Sequence, residues 1–151
     1  RTAYRHAFVA MYYDAKHEDL YIFDEIYQQK LTNSRASKII QKKIGTRLII
    51  ADSAEPKSIK EMRDYGLRIT GSRKGPDSVE YGIKWLQERA HICIDKRRCP
   101  NTYKEFVSYE YERNRDGQFI SAYPDKNNHA IDAIRYGMEP AMPRAGIRVL
   151  R

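Results

Sequence analysis

The sequence predicts an α/β domain whose mixed central sheet carries helices on its faces. Three observations predict it. Strand-like and helix-like segments alternate along most of the chain, in the order β-β-α-β-α-β-α-β, followed by a short helix, a hairpin and a final helix. One run, Arg47–Ala51 (RLIIA), is continuously apolar apart from its first residue, the pattern of a strand covered on both faces, and is expected to be central. The helical segments place apolar residues three and four apart between capping residues and glycine stops.

The elements follow in order. His6–Tyr13 (HAFVAMYY) and Leu20–Tyr27 (LYIFDEIY) are rich in β-branched and aromatic residues, and the polar turn 14–19 between them makes an antiparallel hairpin. Thr32 or Asn33 caps a helix running to about Lys43, with Ala36, Ile39, Ile40 and Ile44 on one face and Gly45 as its stop. The Arg47 strand comes next, with Asp52 at its end. Pro56 suits the first turn of a helix reaching about Tyr65, closed by Gly66. Leu67–Thr70 is a short strand and Gly71–Pro76 a basic loop. Asp77 or Ser78 caps a helix to about Arg89 that buries Val79, Ile83 and Leu86. His91–Ile94 is a strand, and a short helix spans Tyr103–Val107. Tyr109–Glu112 and Gln118–Ser121 flank an Asp116-Gly117 turn, the signal for an added β-hairpin. Asn127 or Asn128 caps the last helix, His129–Met138, which Pro140 and Pro143 end.

A chain of 151 residues is enough for one domain with a real core. The 28 basic and 20 acidic side chains leave a net charge of +8, which suits a polyanionic partner and equally suits a solvated basic surface. Two cysteines, Cys93 and Cys99, form no CxxC pair, so a zinc finger or disulfide scaffold is not expected and a reducing compartment is. No segment approaches the ~18 consecutive apolar residues of a membrane span. The opening at Arg1, without Met, reads as a fragment of something longer.

Asp52 is the first candidate for chemistry. A carboxylate directly after a buried strand sits at the sheet edge where α/β proteins bind ligands. The same residue, or Ser53, can equally cap the helix that starts near Pro56. His129 and Asp132 are three apart on the last helix and share a face with Ala133 and Tyr136, whereas Ile131 and Ile134 point elsewhere. A lone pair of this kind is ordinarily a solvated surface. Together, a strand-end Asp and a late-helix Asp match what phosphodiester cleavage with two divalent ions needs, namely carboxylates brought from separate elements. Oxygen ligands favour Mg²⁺ or Mn²⁺ over Zn²⁺. Asp24 and Glu25 read as solvent-facing acids at a strand end, with Glu25 a secondary metal candidate. Asp125 reads as a turn residue, with a peripheral metal role. Arg73 and Lys74, in a glycine-flanked loop before a helix, and Arg113 and Arg115, at the hairpin tip, are candidate contacts to the DNA backbone, where contacts position the duplex without reading its sequence. The 12 tyrosines mostly alternate with apolar residues in strands and read as sheet packing.

The segments Leu48–Met62 (LIIADSAEPKSIKEM), Gly71–Leu86 (GSRKGPDSVEYGIKWL) and Asn128–Glu139 (NHAIDAIRYGME) resemble the nuclease domain of tailed-phage large terminase subunits. The strand pair FVAMYY and LYIFDEIY resembles its early segment, so the likeness runs from about Ala7 to Glu139. The resemblance implies an RNase H-like fold over a single nuclease domain, residues 1–151. It implies cleavage of concatemeric double-stranded DNA during packaging, with little sequence preference, using two divalent ions. Asp52 would be the strand-end acid, Asp132 the helix acid, and His129 a metal ligand or proton shuttle. It further implies an ATPase domain elsewhere in the protein, since no G-x-x-x-x-G-K-[ST] loop occurs here. Partners would be the small terminase subunit and the portal, in the cytoplasm of a host carrying a phage or prophage. One departure stands out. The family's first acid lies on a strand upstream of the one matching FVAMYY, and RTAYRHAF contains none. The chain by itself is therefore expected to be an impaired nuclease. Two other readings fit the same residues: another RNase H-like nuclease, such as a junction resolvase or transposase core, and a noncatalytic DNA-docking module.

Overall fold

The computed structural model describes residues 5–73, 78–110, 113–118, 123 and 127–143. Strands β1 (Arg5–Asp14) and β2 (Asp19–Gln29) form the expected antiparallel hairpin, with a register shift between Ala10 and Met11. Asp14 shapes the turn between them. Its Oδ1 accepts from the amides of Lys16 (3.1 Å) and His17 (3.3 Å). Helix α1 (Asn33–Ile44) starts where the sequence places it: Thr32 Oγ1 accepts from the Arg35 amide at 3.2 Å, and Gly45 ends the helix with φ +63°.

Strand β3 (Ile49–Ala51), helix α2 (Pro56–Asp64) and strand β4 (Ile69–Gly71) form one β-α-β unit, with β3 and β4 parallel. Gly66, φ +100°, turns the chain out of α2 into β4. Helix α3 (Ser78–Gln87) leads to strand β5 (His91–Ile94), which pairs parallel with β2 by placing Ile92 beside Leu20 and Ile94 beside Ile22. Helices α4 (Pro100–Ser108) and α5 (His129–Met138) complete the described elements, with a 3₁₀ turn at Glu139–Ala141.

Two apolar clusters hold this together. Leu20, Ile22, Trp85, Leu86, Ala130 and Ile134 join the first sheet to α3 and α5. Ile26, Ala36, Ile40, Ile59, Leu67 and Ile69 join the end of β2 to α1, α2 and the β3–β4 pair. The domain is α/β as expected, but its strands fall into two sheets. One is mixed, in the order β1-β2-β5; the other is the parallel pair β3-β4. The Arg47 strand is therefore not central among the described residues. Arg47 and Leu48 are exposed, β3 is only half-buried, and its side away from β4 has no strand partner among the described residues.

Three further expectations are corrected. Val79 is exposed, because α3 turns Gly82, Ile83, Trp85 and Leu86 inward instead. The short helix expected at Tyr103–Val107 begins earlier, at Pro100, whose ring suits a first turn. Asp24 is buried rather than solvent-facing: it is held between Lys43 Nζ (2.8 Å) and Arg98 Nη2 (3.3 Å). The Asn114–Gly117 turn is present, with the Gly117 amide donating to the Asn114 carbonyl at 3.1 Å. Segments of its flanking strands, and Asp77 as a cap, lie outside the described residues.

Candidate active site

A cleft of about 1450 Å³ opens between β1 and β3, along the edges that have no strand partner among the described residues. Residues 7–12 line one wall and residues 47–52 the other. Most of the lining is apolar, including Phe8, Met11, Ile50 and Ile59. Helix α5 packs on both strands and so bridges the two sheets.

Local contacts set the direction of that helix. Tyr27 stands opposite Ala7 in the hairpin, and its ring meets the His129 ring edge-on, with centroids 6.2 Å apart. At the other end, a Cβ on Gly137 would lie 2.6 Å from Met11 Cε. The helix therefore runs alongside β1 in the same direction, with its first turn at the Ala7 end. Gly137 allows the close approach at the far end.

The helix presents to the cleft the face its spacing predicts: His129, Asp132, Ala133 and Tyr136, while Ile131 and Ile134 are in the core. Asp52 reaches the same cleft from the end of β3. Its Oδ1 accepts from the Ala54 amide at 3.0 Å, which tightens the turn into α2, whose own cap residue, Glu55, makes no side-chain capping bond. Asp52 is therefore not the cap of α2, a position Glu55 takes; it organises the turn before the helix and lines the cleft. Asp132 is gripped from one side, its Oδ1 accepting from Arg135 Nη2 at 2.7 Å. Arg135 is itself buried, its stem lying against Gly82 of α3, where an added Cβ would fall 2.8 Å from Arg135 Cδ.

The cap position of α5 is one of the two read from sequence, but the group that meets its first amides is not. Asn128 occupies the cap position but makes no capping bond through its side chain. Glu105, on α4, does this instead. Its Oε1 accepts from the amides of Ala130 (2.9 Å) and Ile131 (3.0 Å), and its Oε2 from Ala130 (3.1 Å). Glu25, considered as an extra metal acid, does for α4 what Glu105 does for α5: its Oε1 accepts from Asn101 N (2.9 Å) and Thr102 N (3.2 Å) at the helix start. It does not line the cleft.

Other predicted residues are dispersed. The Arg73 amide donates to Glu139 Oε1 at 2.5 Å, and Arg73 does not line the cleft. Arg113 pairs with Glu110 at 3.4 Å, and Arg115 is exposed on the same turn. Lys74 and Asp125 lie outside the described residues. Three cations that the sequence did not single out for a site, Lys30, Arg47 and Lys57, do line the cleft with Asp52. Only proximity in sequence to Asp52 could have signalled Lys57. Lys30 takes its place through a left-handed backbone (φ +58°) at the end of β2, which no local pattern announces.

Carboxylate oxygens and an imidazole are donors that suit a divalent ion such as Mn²⁺. The donor types therefore fit a metal, but the set is incomplete: among the described residues no three His, Cys, Asp or Glu side chains converge closely enough to hold one. Three acids, Asp52, Glu55 and Asp132, line the cleft with the imidazole of His129, from the end of β3, the cap of α2 and helix α5.

Comparisons with known proteins find matches in both sequence and structure. The family model described as the terminase RNAseH like domain matches residues 3–139. The chain is 41% identical over 144 residues to the large terminase subunit of Bacillus phage SPP1, covering 93% of this chain and 34% of that protein. It is 36% identical over 135 residues to the PBSX phage terminase large subunit of Bacillus subtilis strain 168, covering 88% of this chain and 31% of that one. The chain thus spans about a third of the length of these relatives. Among solved structures, the nuclease domain of the SPP1 large terminase, crystallised with bound Mn, superposes with a TM-score of 0.85 at 39% identity, covering 94% of this chain and 82% of that one. The P22 large terminase nuclease domain shares the fold, with a TM-score of 0.70 at 18% identity over 92% of this chain and 76% of that one.

Proposed function

The chain belongs to the terminase RNase H-like domain family, and from that premise we propose that it is the nuclease domain of a phage large terminase subunit, a divalent-metal-dependent endonuclease acting on concatemeric double-stranded DNA with little sequence preference. One observation carries the reading: Asp52 and Asp132, from a strand end and a helix, face one cleft together with His129. Metal-assisted phosphodiester hydrolysis needs carboxylates from separate elements, and these two acids would supply part of such a set.

In this reading Asp52 and Asp132 would hold two Mg²⁺ or Mn²⁺ ions, and His129 would be a further ligand or move a proton in the cleft. When bound, such ions make water more acidic and offset charge on the leaving oxygen. Water attacks phosphorus in line, leaving a 5′-phosphate and a 3′-hydroxyl. Lys30 and Lys57, on the cleft wall, suit the DNA backbone, where cations supply affinity without sequence choice. An ATPase domain, the small subunit and the portal would be its partners in the host cytoplasm. No helix of the described residues is long and apolar enough to cross a membrane.

The resemblance expects a third acid on an additional strand. A strand laid between β1 and β3 would satisfy both open edges, join the two sheets into one and bring a side chain beside Asp52. A second reading, favoured by the net charge of +8, is a noncatalytic DNA-docking module.

Mn²⁺ titration followed by paramagnetic resonance, beside a plasmid-nicking assay, separates the two. The nuclease reading expects Mn²⁺ binding that falls by about 100-fold or more in Asp52→Asn or Asp132→Asn, with nicking that falls in parallel, since even residues behind metal ligands are worth roughly 10–100-fold. Mn²⁺ binding indifferent to both variants, with DNA binding intact, supports docking.

A further inference from the structure

We infer that Glu105 is a positioning residue for the acid-bearing helix of the cleft, and that Glu25 anchors it in turn. This rests on the metal-dependent reading of the cleft. The observation is a pair of carboxylate-to-amide links in series. Glu25, on β2, closes the first turn of α4 through Asn101 N and Thr102 N. Glu105, on α4 and almost fully buried, closes the first turn of α5 through Ala130 N and Ile131 N. His129 and Asp132 are in that same first turn. The position of Asp132 is thereby referred back to the sheet through two acids, and Arg135 fixes its Oδ1 from within the helix.

Two physical consequences follow. The first is geometric. The opening turn of a helix frays unless its orphan amides are met, and the Asn128 side chain does not meet them. Without Glu105, the turn carrying His129 and Asp132 loses its fixed reference. The second is electrostatic. A helix N-terminus carries the equivalent of about half a positive charge, which opposes a cation bound at its first turn. A buried carboxylate set against those amides offsets that charge, so Asp132 and His129 can receive a divalent ion at a helix end that would otherwise repel it.

Glu105→Gln separates this from ordinary structural support, because it keeps the shape and one acceptor oxygen while removing the charge. Leu67→Ala, in the other apolar cluster and away from the cleft wall, gives a destabilised reference. Amide hydrogen exchange of the metal-free chain is measured together with Mn²⁺ affinity. The expected result for Glu105→Gln is faster exchange confined to the first turn of α5 and a Mn²⁺ affinity lower by roughly 10–100-fold, the usual effect of residues that orient metal ligands. Glu25→Gln should lower it in the same sense, with a double variant less than additive because the two act in one chain of contacts. Leu67→Ala should lower the melting temperature without either change. Unchanged exchange at Ala130 and Ile131 in Glu105→Gln, or an equal loss of Mn²⁺ affinity in Leu67→Ala, overturns the inference. Should the parent chain bind no Mn²⁺ through Asp52 and Asp132, the metal reading fails, and the exchange pattern alone still decides whether Glu105 holds the helix.

Discussion

Asp132 illustrates how much of a candidate site residue is decided by its neighbours. Spacing puts it on one face with His129, Ala133 and Tyr136, and that face does line the cleft. Nothing local announces that Arg135, three residues on, holds one of its oxygens. The two cysteines make a simpler contrast. Cys99 is buried, and desolvation, aided by the nearby carboxylates of Glu25 and Asp24, pushes its thiol up to about 11. Cys93 is exposed. A thiol reacts through its thiolate, so a disulfide reagent at about pH 8, near the ordinary thiol pKa, should titrate one cysteine in the folded chain and two after denaturation. Rapid modification of both in the native state would contradict the burial of Cys99.

Among the elements, α5 does most to build the cleft. Its limits, amphipathic face and inward isoleucines follow from a 3.6-residue period and can be read locally. Its cap cannot, because the group that meets its amides comes from another helix, 25 residues earlier in the chain. Its packing also depends on two glycines of different kinds. At Gly82 an added Cβ meets the Arg135 stem at 2.8, 3.1 and 3.5 Å, down to Arg135 Cβ, which cannot swing away. At Gly137 it meets only the flexible end of Met11. Gly82→Ala should therefore destabilise by roughly 1–3 kcal/mol through overpacking, despite the ~1 kcal/mol that alanine gains over glycine in a helix. Gly137→Ala should be near neutral or stabilising for the same helical preference. Thermal melts of both compare them directly, and equal melting temperatures would show that Arg135 yields as easily as Met11.

At the scale of the whole molecule, the described residues form two sheets bridged by one helix rather than one continuous sheet. The cleft between them is lined by three acids, two lysines, Arg47 and a long apolar wall. A net charge of +8 makes binding to DNA salt-dependent whatever the site, so charge alone does not locate the contact surface. The cleft does suggest one. Replacing Lys30 and Lys57 together by alanine should lower the slope of log affinity against log salt by about 2, since each phosphate that a cation no longer neutralises reduces it by about one. Replacing Arg113 and Arg115, which lie away from the cleft, tests the alternative that the hairpin tip is the contact. A slope unchanged in the lysine pair and reduced in the arginine pair would move the DNA to the hairpin.

What the sequence by itself determined is whatever neighbouring residues decide among themselves. That includes the β1–β2 hairpin from strand-forming composition around a polar turn, the span of α1 from Thr32 to Gly45, and the cleft-facing stripe of α5. The pairing of Asp52 with Asp132 as candidates came from resemblance over long segments, and the shared cleft is consistent with it. The tertiary structure decided the rest. It split the strands into two sheets, exposed Val79, buried Asp24, brought Lys30 and Lys57 to the cleft wall, and made Glu25 and Glu105 caps for helices distant from them in the chain. The physical reason is common to these cases. A carboxylate bonds to whatever donors packing brings within about 3 Å, and a strand's place in a sheet depends on which edges find partners. Neither is a property of the residues next to it in sequence.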